Sequence, residues 1–150
     1  MHGVIVVFAW LLAGLSGAAA VVGAWAWWYL RQTRVFWVLV RAAQGAAGAL
    51  AVIAGVAAAL GHRPHDGLFW VYALVPVGVG FVAEQLRILS AQSVLDARSL
   101  PDAAAVGQLA DADQRSVVVA ILRRETGVMT LAAAVTVFLA VRALATAAGF

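Results

Sequence analysis

The sequence contains no cysteine, no lysine and no asparagine, and only 11% of its residues are charged. Without cysteine the chain lacks the ligands for a disulfide, an iron–sulfur cluster or a thiolate metal site. Soluble domains carry about 25% charged residues, whereas 65% of this chain is hydrophobic. That composition predicts an integral membrane protein whose surroundings are the lipid bilayer. The missing lysine and asparagine, beside abundant alanine, valine, glycine and arginine, favour a GC-rich bacterial genome.

The basic residues are all arginines, and the net charge is +3 with a sequence pI of about 10.6. A nucleic-acid-binding protein gathers such charge on one face. Here the arginines stand at the ends of apolar runs, a distribution that membrane orientation explains better. We therefore predict no nucleic-acid partner.

Four apolar runs predict one all-α domain over residues 1–150, an integral membrane four-helix bundle. No basic residue precedes the first run, so we expect it to be retained rather than cleaved as a signal peptide. The stretch at about 96–125 carries two helix-start patterns, at Ser99 and at Asp111, which favour a helical cytoplasmic hairpin between spans three and four. The predicted spans are about 4–28, 35–60, 68–88 and 126–148.

The positive-inside rule predicts the orientation. If both termini lie outside, only two arginines, Arg63 and Arg142, fall on the outer side. We therefore expect a multi-pass protein of the bacterial cytoplasmic membrane with its N-terminus and C-terminus outside. The eight arginines on the inner side are Arg31, Arg34, Arg41, Arg87, Arg98, Arg115, Arg123 and Arg124.

Glu84 is the carboxylate that the pattern forces into a span. The 16 uncharged residues from Leu68 to Ala83 make about 24 Å of helix at about 1.5 Å per residue. The hydrocarbon core of a bilayer is about 30 Å thick, so the third span has to include Glu84. An ionisable group at that depth needs a partner or a function.

Arg41 is the expected partner of Glu84, because it lies at a similar depth in the second span. We expect Gln44 and Gln85 to complete an intramembrane polar cluster, with Arg87 nearer the headgroups. Two interpretations stay open. The cluster is either a buried ion pair that fixes helix register, or a proton- or substrate-binding carboxylate in a cavity open to the cytoplasm.

Metal, cofactor and catalytic sites have little support in the sequence. His62, His65 and Asp66 share one short turn on the same side as His2, which makes them weak candidates for zinc or copper. No histidine falls inside a predicted span, so paired histidine ligands for a haem are missing. We predict no metal, no cofactor, no catalytic residues and no enzymatic activity.

Small residues recur every four positions along the second span. Such ridges let helices approach closely in lipid. The ridge predicts packing inside the monomer or, alternatively, contact with a membrane-protein partner or a second copy. Its members are Ala43, Ala47, Ala51, Gly55 and Ala59.

These features favour a small polytopic membrane protein that serves as a non-catalytic accessory or assembly subunit of a membrane complex. One alternative is a small transporter or channel with Glu84 as an intramembrane relay. A second alternative is a haem- or quinone-binding redox component.

Overall fold

The computed structural model describes residues 2–31 and 33–147, so Gln32 in the first turn and the predicted end of the fourth span at Ala148 lie outside the described residues. The described chain is helical between short turns, and the predicted all-α four-helix bundle is confirmed. Its helices are α1 (His2–Tyr29), α2 (Arg34–Ala59), α3 (Leu68–Ala97), the short α4 (Ala103–Val106) and α5 (Asp111–Thr146).

Four of these helices, α1, α2, α3 and α5, are long and apolar enough to cross a membrane. Large hydrophobic side chains lie exposed around the bundle, among them Trp10, Val21 and Phe138, each more than 60% exposed. A soluble protein does not leave so much apolar surface uncovered. The chain is therefore a multi-pass membrane protein whose outer surface suits lipid.

The four long helices form a ring in the order α1, α2, α3, α5. α1 packs against α2 and α5, and α3 packs against α5 and α2, while helices across the diagonal touch little. The contact between α2 and α3 is the least extensive of the four neighbouring pairs. That pair therefore borders a groove on the side of the bundle.

The buried positions repeat with alternating steps of three and four residues along α1 and α2. This 3.5-residue period keeps one seam facing the bundle centre and is typical of left-handed helix packing. Alanine, glycine and serine occupy many of these positions, which brings the backbones close together. On α1 the seam is Ile5, Ala9, Leu12, Ser16, Ala19, Gly23 and Ala26, and on α2 it is Phe36, Val40, Ala43, Ala47, Leu50, Ala54 and Ala57.

The predicted ridge on α2 does not stay on this seam. Ala43 and Ala47 are buried, Ala51 is half-buried, and Gly55 and Ala59 are exposed. The reason is geometric, since a step of four residues advances about 400° around a helix of 3.6 residues per turn. Each step therefore rotates the ridge by about 40°, and its last members leave the core.

α3 and α5 are the longest helices in the described part of the chain. Their 30 and 36 residues correspond to about 45 and 54 Å of helix, against a hydrocarbon core of about 30 Å. The extensions pack on each other within the predicted hairpin, where Val94 and Val117 are buried. The Arg98 guanidinium donates to the Ser116 hydroxyl at 2.6 Å. We call this side of the molecule the hairpin end.

Candidate functional site

Glu84 faces α2 at the groove between α2 and α3. Its Oε1 accepts from Nη1 of Arg41 at 2.6 Å and from Nε2 of Gln44 at 3.1 Å. The same Arg41 nitrogen donates to the amide oxygen of Gln44 at 2.8 Å. Two residues one turn apart on α2 therefore hold one carboxylate oxygen from α3.

The second carboxylate oxygen of Glu84 is paired along its own helix. Nε of Arg87 lies 3.3 Å from Oε2, three residues further along α3. The Arg87 guanidinium also lies over the indole ring of Trp37, with its carbon 5.2 Å from the ring centroid. This cation–π contact joins α3 to α2 a second time, close to Glu84. Oε1 of Glu84 is thus hydrogen-bonded within the chain, while Oε2 lies at ion-pair distance from Arg87 without accepting a hydrogen bond from its Nε.

The polar cluster, defined as Arg41, Gln44, Glu84 and Arg87, carries two positive charges and one negative charge. Glu84 is 22% exposed, whereas Arg41 is 55% exposed. The carboxylate is therefore held between two guanidinium groups of the opposite charge. Gln85, which the sequence predicts to be part of the polar cluster, does not join it. It lies exposed, and the described residues give it no hydrogen bond.

A groove of about 180 Å³ leads to Glu84 from the side of the bundle. It runs between Gln44 and Ala47 on α2 and Pro76, Gly80 and Phe81 on α3. Gly80 lies opposite the Gln44 side chain, whose atoms come within 3.5 Å of the place where a Cβ would stand. A methyl group at Gly80 would therefore make ordinary van der Waals contact with Gln44.

Behind the groove lies a smaller cavity of about 30 Å³ at the centre of the bundle. Ser16 and Thr136 line it together with Gln44. The Thr136 hydroxyl donates to the backbone oxygen of Ala132 at 2.8 Å, but the Ser16 hydroxyl is fully buried and has no hydrogen-bond partner among the described residues. The rest of the lining is apolar, so these three side chains are the polar groups that face the cavity. Sequence reasoning missed Ser16, although its place on the α1 seam is a readable signal.

The candidate metal ligands do not converge. No group of three or more histidine, cysteine, aspartate or glutamate side chains able to hold a metal occurs among the described residues. Asp66 instead accepts from the backbone N–H of Leu68 at 2.9 Å, at the start of α3. His2 lies 3.2 Å from the backbone oxygen of Ala147, while His62 and His65 are exposed.

A second seam on α2 faces away from the bundle. It consists of Gly45, Gly48, Val52, Gly55 and Ala59, all exposed except the half-buried Gly48. A Cβ added at any of its three glycines would meet nothing within 4 Å. Packing inside the chain therefore does not require glycine at these positions. We call this the exposed seam of α2.

Comparisons of the chain with protein-family models, with curated proteins and with solved structures find no match.

Proposed function

We propose that this chain is a non-catalytic accessory or assembly subunit of a bacterial inner-membrane complex. The observation that carries the proposal is the exposed seam of α2. Its residues repeat with steps of three and four residues, as the buried seams do, yet they are exposed, apart from the half-buried Gly48, in the part of the chain that the structure describes. A helix from another membrane subunit packs on such a surface by close backbone approach.

The length of the exposed seam suits a helix partner. Gly45 and Ala59 are 14 residues apart in α2, or about 21 Å at about 1.5 Å per residue. That is about two thirds of the hydrocarbon core. The occupied state of Glu84 supports the non-catalytic part of the proposal, because the carboxylate is engaged by Arg41, Gln44 and Arg87.

Photo-crosslinking in native membranes tests this proposal. A photoreactive residue at position 55 should give a discrete adduct with another membrane protein. The matched control is position 14 on α1, where Gly14 is also exposed and an added Cβ also meets nothing within 4 Å. Equal crosslinking at the two positions would contradict the proposal. An adduct of twice the mass of the chain would show that the partner is a second copy of this chain rather than a different subunit.

We further propose that both termini face away from the cytoplasm, as the arginine distribution favours. The chain has no cysteine, so single cysteines report cleanly. A membrane-impermeant thiol reagent applied to intact cells should label His65→Cys in the turn between α2 and α3. It should leave Gln108→Cys, at the hairpin end, unlabelled until the membrane is opened. The reverse pattern would overturn the orientation.

The relay alternative remains a second candidate, because a groove reaches Glu84 and a cavity with polar lining lies behind it. In this role Glu84 would exchange protons between the groove and the Ser16 cavity. Proteoliposomes with an internal pH dye would then show proton flux that Glu84→Gln removes. The neighbouring Gln85→Ala is the control and should leave the flux unchanged. Absence of flux in the unmodified protein would eliminate this candidate.

A further inference from the structure

A second polar pocket lies on the opposite side of the bundle from the α2–α3 groove, between the end of α1 and α5. It measures about 30 Å³, and two arginines line it, Arg31 just after α1 and Arg123 on α5. Trp27 and Thr126 complete its polar lining. None of the described residues that line the pocket is acidic. The pocket therefore carries two positive charges with no compensating carboxylate.

The two arginines differ from those of the polar cluster at Glu84. Within the described part of the chain, the ion pairs are those of Glu84 with Arg41 and Arg87. Arg31 and Arg123 form none. Two guanidinium groups that line one cavity without a carboxylate partner attract an anion. The pocket thus favours an anionic ligand.

Local structure sets where the backbone of Arg31 lies. Leu30 adopts a left-handed backbone conformation with φ of 53°, and the N–H of Arg31 bonds to the oxygen of Ala26 at 3.1 Å. This ends α1 as a Schellman-type cap, and Arg31 then lines the pocket with residues of α5. A leucine in this conformation is strained relative to glycine. The chain therefore accepts strain at the residue that precedes Arg31.

Arg123 makes a cation–π contact with Trp27. The Arg123 guanidinium carbon lies 4.8 Å from the Trp27 ring centroid. The indole in turn lies across Gly127, where an added Cβ would stand 3.2 Å from its nitrogen. The stacking on Trp27 uses a face of the Arg123 guanidinium, and the described residues give its in-plane N–H groups no hydrogen bond and no ion pair, so these groups are available to a bidentate ligand. Arginine pairs with phosphate in this fork geometry.

The pocket lies at the level of lipid headgroups. Trp25, Trp27, Trp28 and Tyr29 crowd the last turns of α1, as in the aromatic belts found where membranes meet water. Basic pockets between membrane helices at this level bind anionic headgroups. The small volume limits its occupant to a few atoms, so the acyl chains would lie outside on the exposed faces of α1 and α5.

We infer that the pocket of Arg31, Trp27 and Arg123 binds the phosphate group of an anionic phospholipid from the adjacent leaflet. Phosphate oxygens accept from both guanidinium groups, and the absence of a lining carboxylate disfavours a zwitterionic headgroup with its cationic amine. This site is separate from the exposed seam of α2, so its occupancy does not depend on the proposed partner.

Native mass spectrometry of the purified chain in neutral detergent tests the inference. Phosphatidylglycerol should bind at least about tenfold more tightly than phosphatidylcholine. Arg31→Gln combined with Arg123→Gln should weaken phosphatidylglycerol binding about tenfold or more. The control is Arg115→Gln, an exposed arginine of α5 outside the pocket lining, which should bind phosphatidylglycerol like the unmodified chain.

Three results would overturn the inference. These are equal binding of the two lipids, unchanged phosphatidylglycerol binding in the double variant, and displacement of the lipid by an equal concentration of inorganic phosphate. Arg31 lies outside the helices, so Arg31→Gln alone provides a variant that folds should the double variant fail. It should lose part of the phosphatidylglycerol preference while its thermal unfolding in detergent stays unchanged.

Discussion

At the residue scale, Gly23 sets how closely α1 approaches its neighbours. A Cβ built at this position would overlap the Thr130 hydroxyl on α5 and come within 2.5 Å of the Phe36 ring on α2. Three helices therefore meet at one missing side chain. Gly14, nine residues earlier on the same helix, has open space instead. Gly23 and Gly14 therefore provide a test position and a control position for the same substitution.

Gly23→Ala should destabilise the bundle by about 1–3 kcal/mol through overpacking. Gly14→Ala should be neutral or stabilise by up to about 1 kcal/mol, because alanine is the better helix former. Reversible unfolding in mixed micelles measures both. Equal free energies of unfolding for the two variants would show that the close approach at Gly23 is absent in the membrane.

The Arg41–Glu84 pair gives the second prediction at this scale. Glu84→Gln removes the charge that Arg41 and Arg87 share, and Arg41→Leu leaves Glu84 with Arg87 and Gln44. Each change should cost about 1–3 kcal/mol. The double variant should recover at least about 0.5 kcal/mol of the sum, because the two side chains are in contact.

A double-mutant cycle in mixed micelles measures that coupling. Arg63→Leu, at an exposed residue in the turn after α2, is the control and should stay within about 0.5 kcal/mol of the unmodified chain. Additive costs for Arg41 and Glu84 would contradict a structural ion pair.

The contacts of Glu84 follow from depth along the helices, which is readable in the sequence. Arg41 and Gln44 are one turn apart on α2, and Arg87 is one turn after Glu84, so these side chains share a face. Gln85 is rotated by about 100° from Glu84 and therefore points elsewhere. The pocket of Arg31 and Arg123 was not predictable, because it depends on how α1 and α5 meet in space.

At the element scale, the number and type of the long helices were predictable, and so was the helix start at Asp111. Bilayer thickness predicts that the third span ends near residue 88, whereas the helix α3 itself continues to Ala97. A helix does not stop where the lipid stops when its extension has a partner to pack on. The 3.5-residue repeat of the buried seams can be read in the sequence, but the prediction for α2 followed the repeat of small residues at every fourth position instead.

The short helix α4 depends on one capping side chain. Four residues are too few to form a stable helix alone, and Oδ1 of Asp102 accepts from the N–H of Ala105 at 2.8 Å. Asp102→Ala should cost about 1 kcal/mol locally. Hydrogen exchange should accelerate over residues 103–107 and stay unchanged in the spans.

Asp111→Ala is the control for α4. Asp111 starts the 36-residue α5, whose later turns are held by packing. Loss of the Asp111 side chain should leave hydrogen exchange beyond the first turn of α5 unchanged. Protection over residues 103–107 that is insensitive to Asp102→Ala would mean that packing, rather than the cap, holds α4.

At the scale of the whole molecule, seams of the same 3.5-residue repeat occur both inside the bundle and on its outside. The buried seams join four helices through small residues, and the exposed seam of α2 repeats that pattern toward the outside. Lipid alone does not require glycine at Gly45, Gly48 and Gly55, and glycine costs about 1 kcal/mol relative to alanine in a helix. A partner helix explains why that cost is tolerated.

The most direct test is the size of the native complex extracted in mild detergent. The unmodified chain should migrate in an assembly larger than its 15.6 kDa monomer. Gly55→Leu should release the monomer, whereas Gly14→Leu should leave the assembly intact, with both variants folded. A monomer from the unmodified chain, or an assembly that survives Gly55→Leu, would contradict a subunit role through the exposed seam of α2.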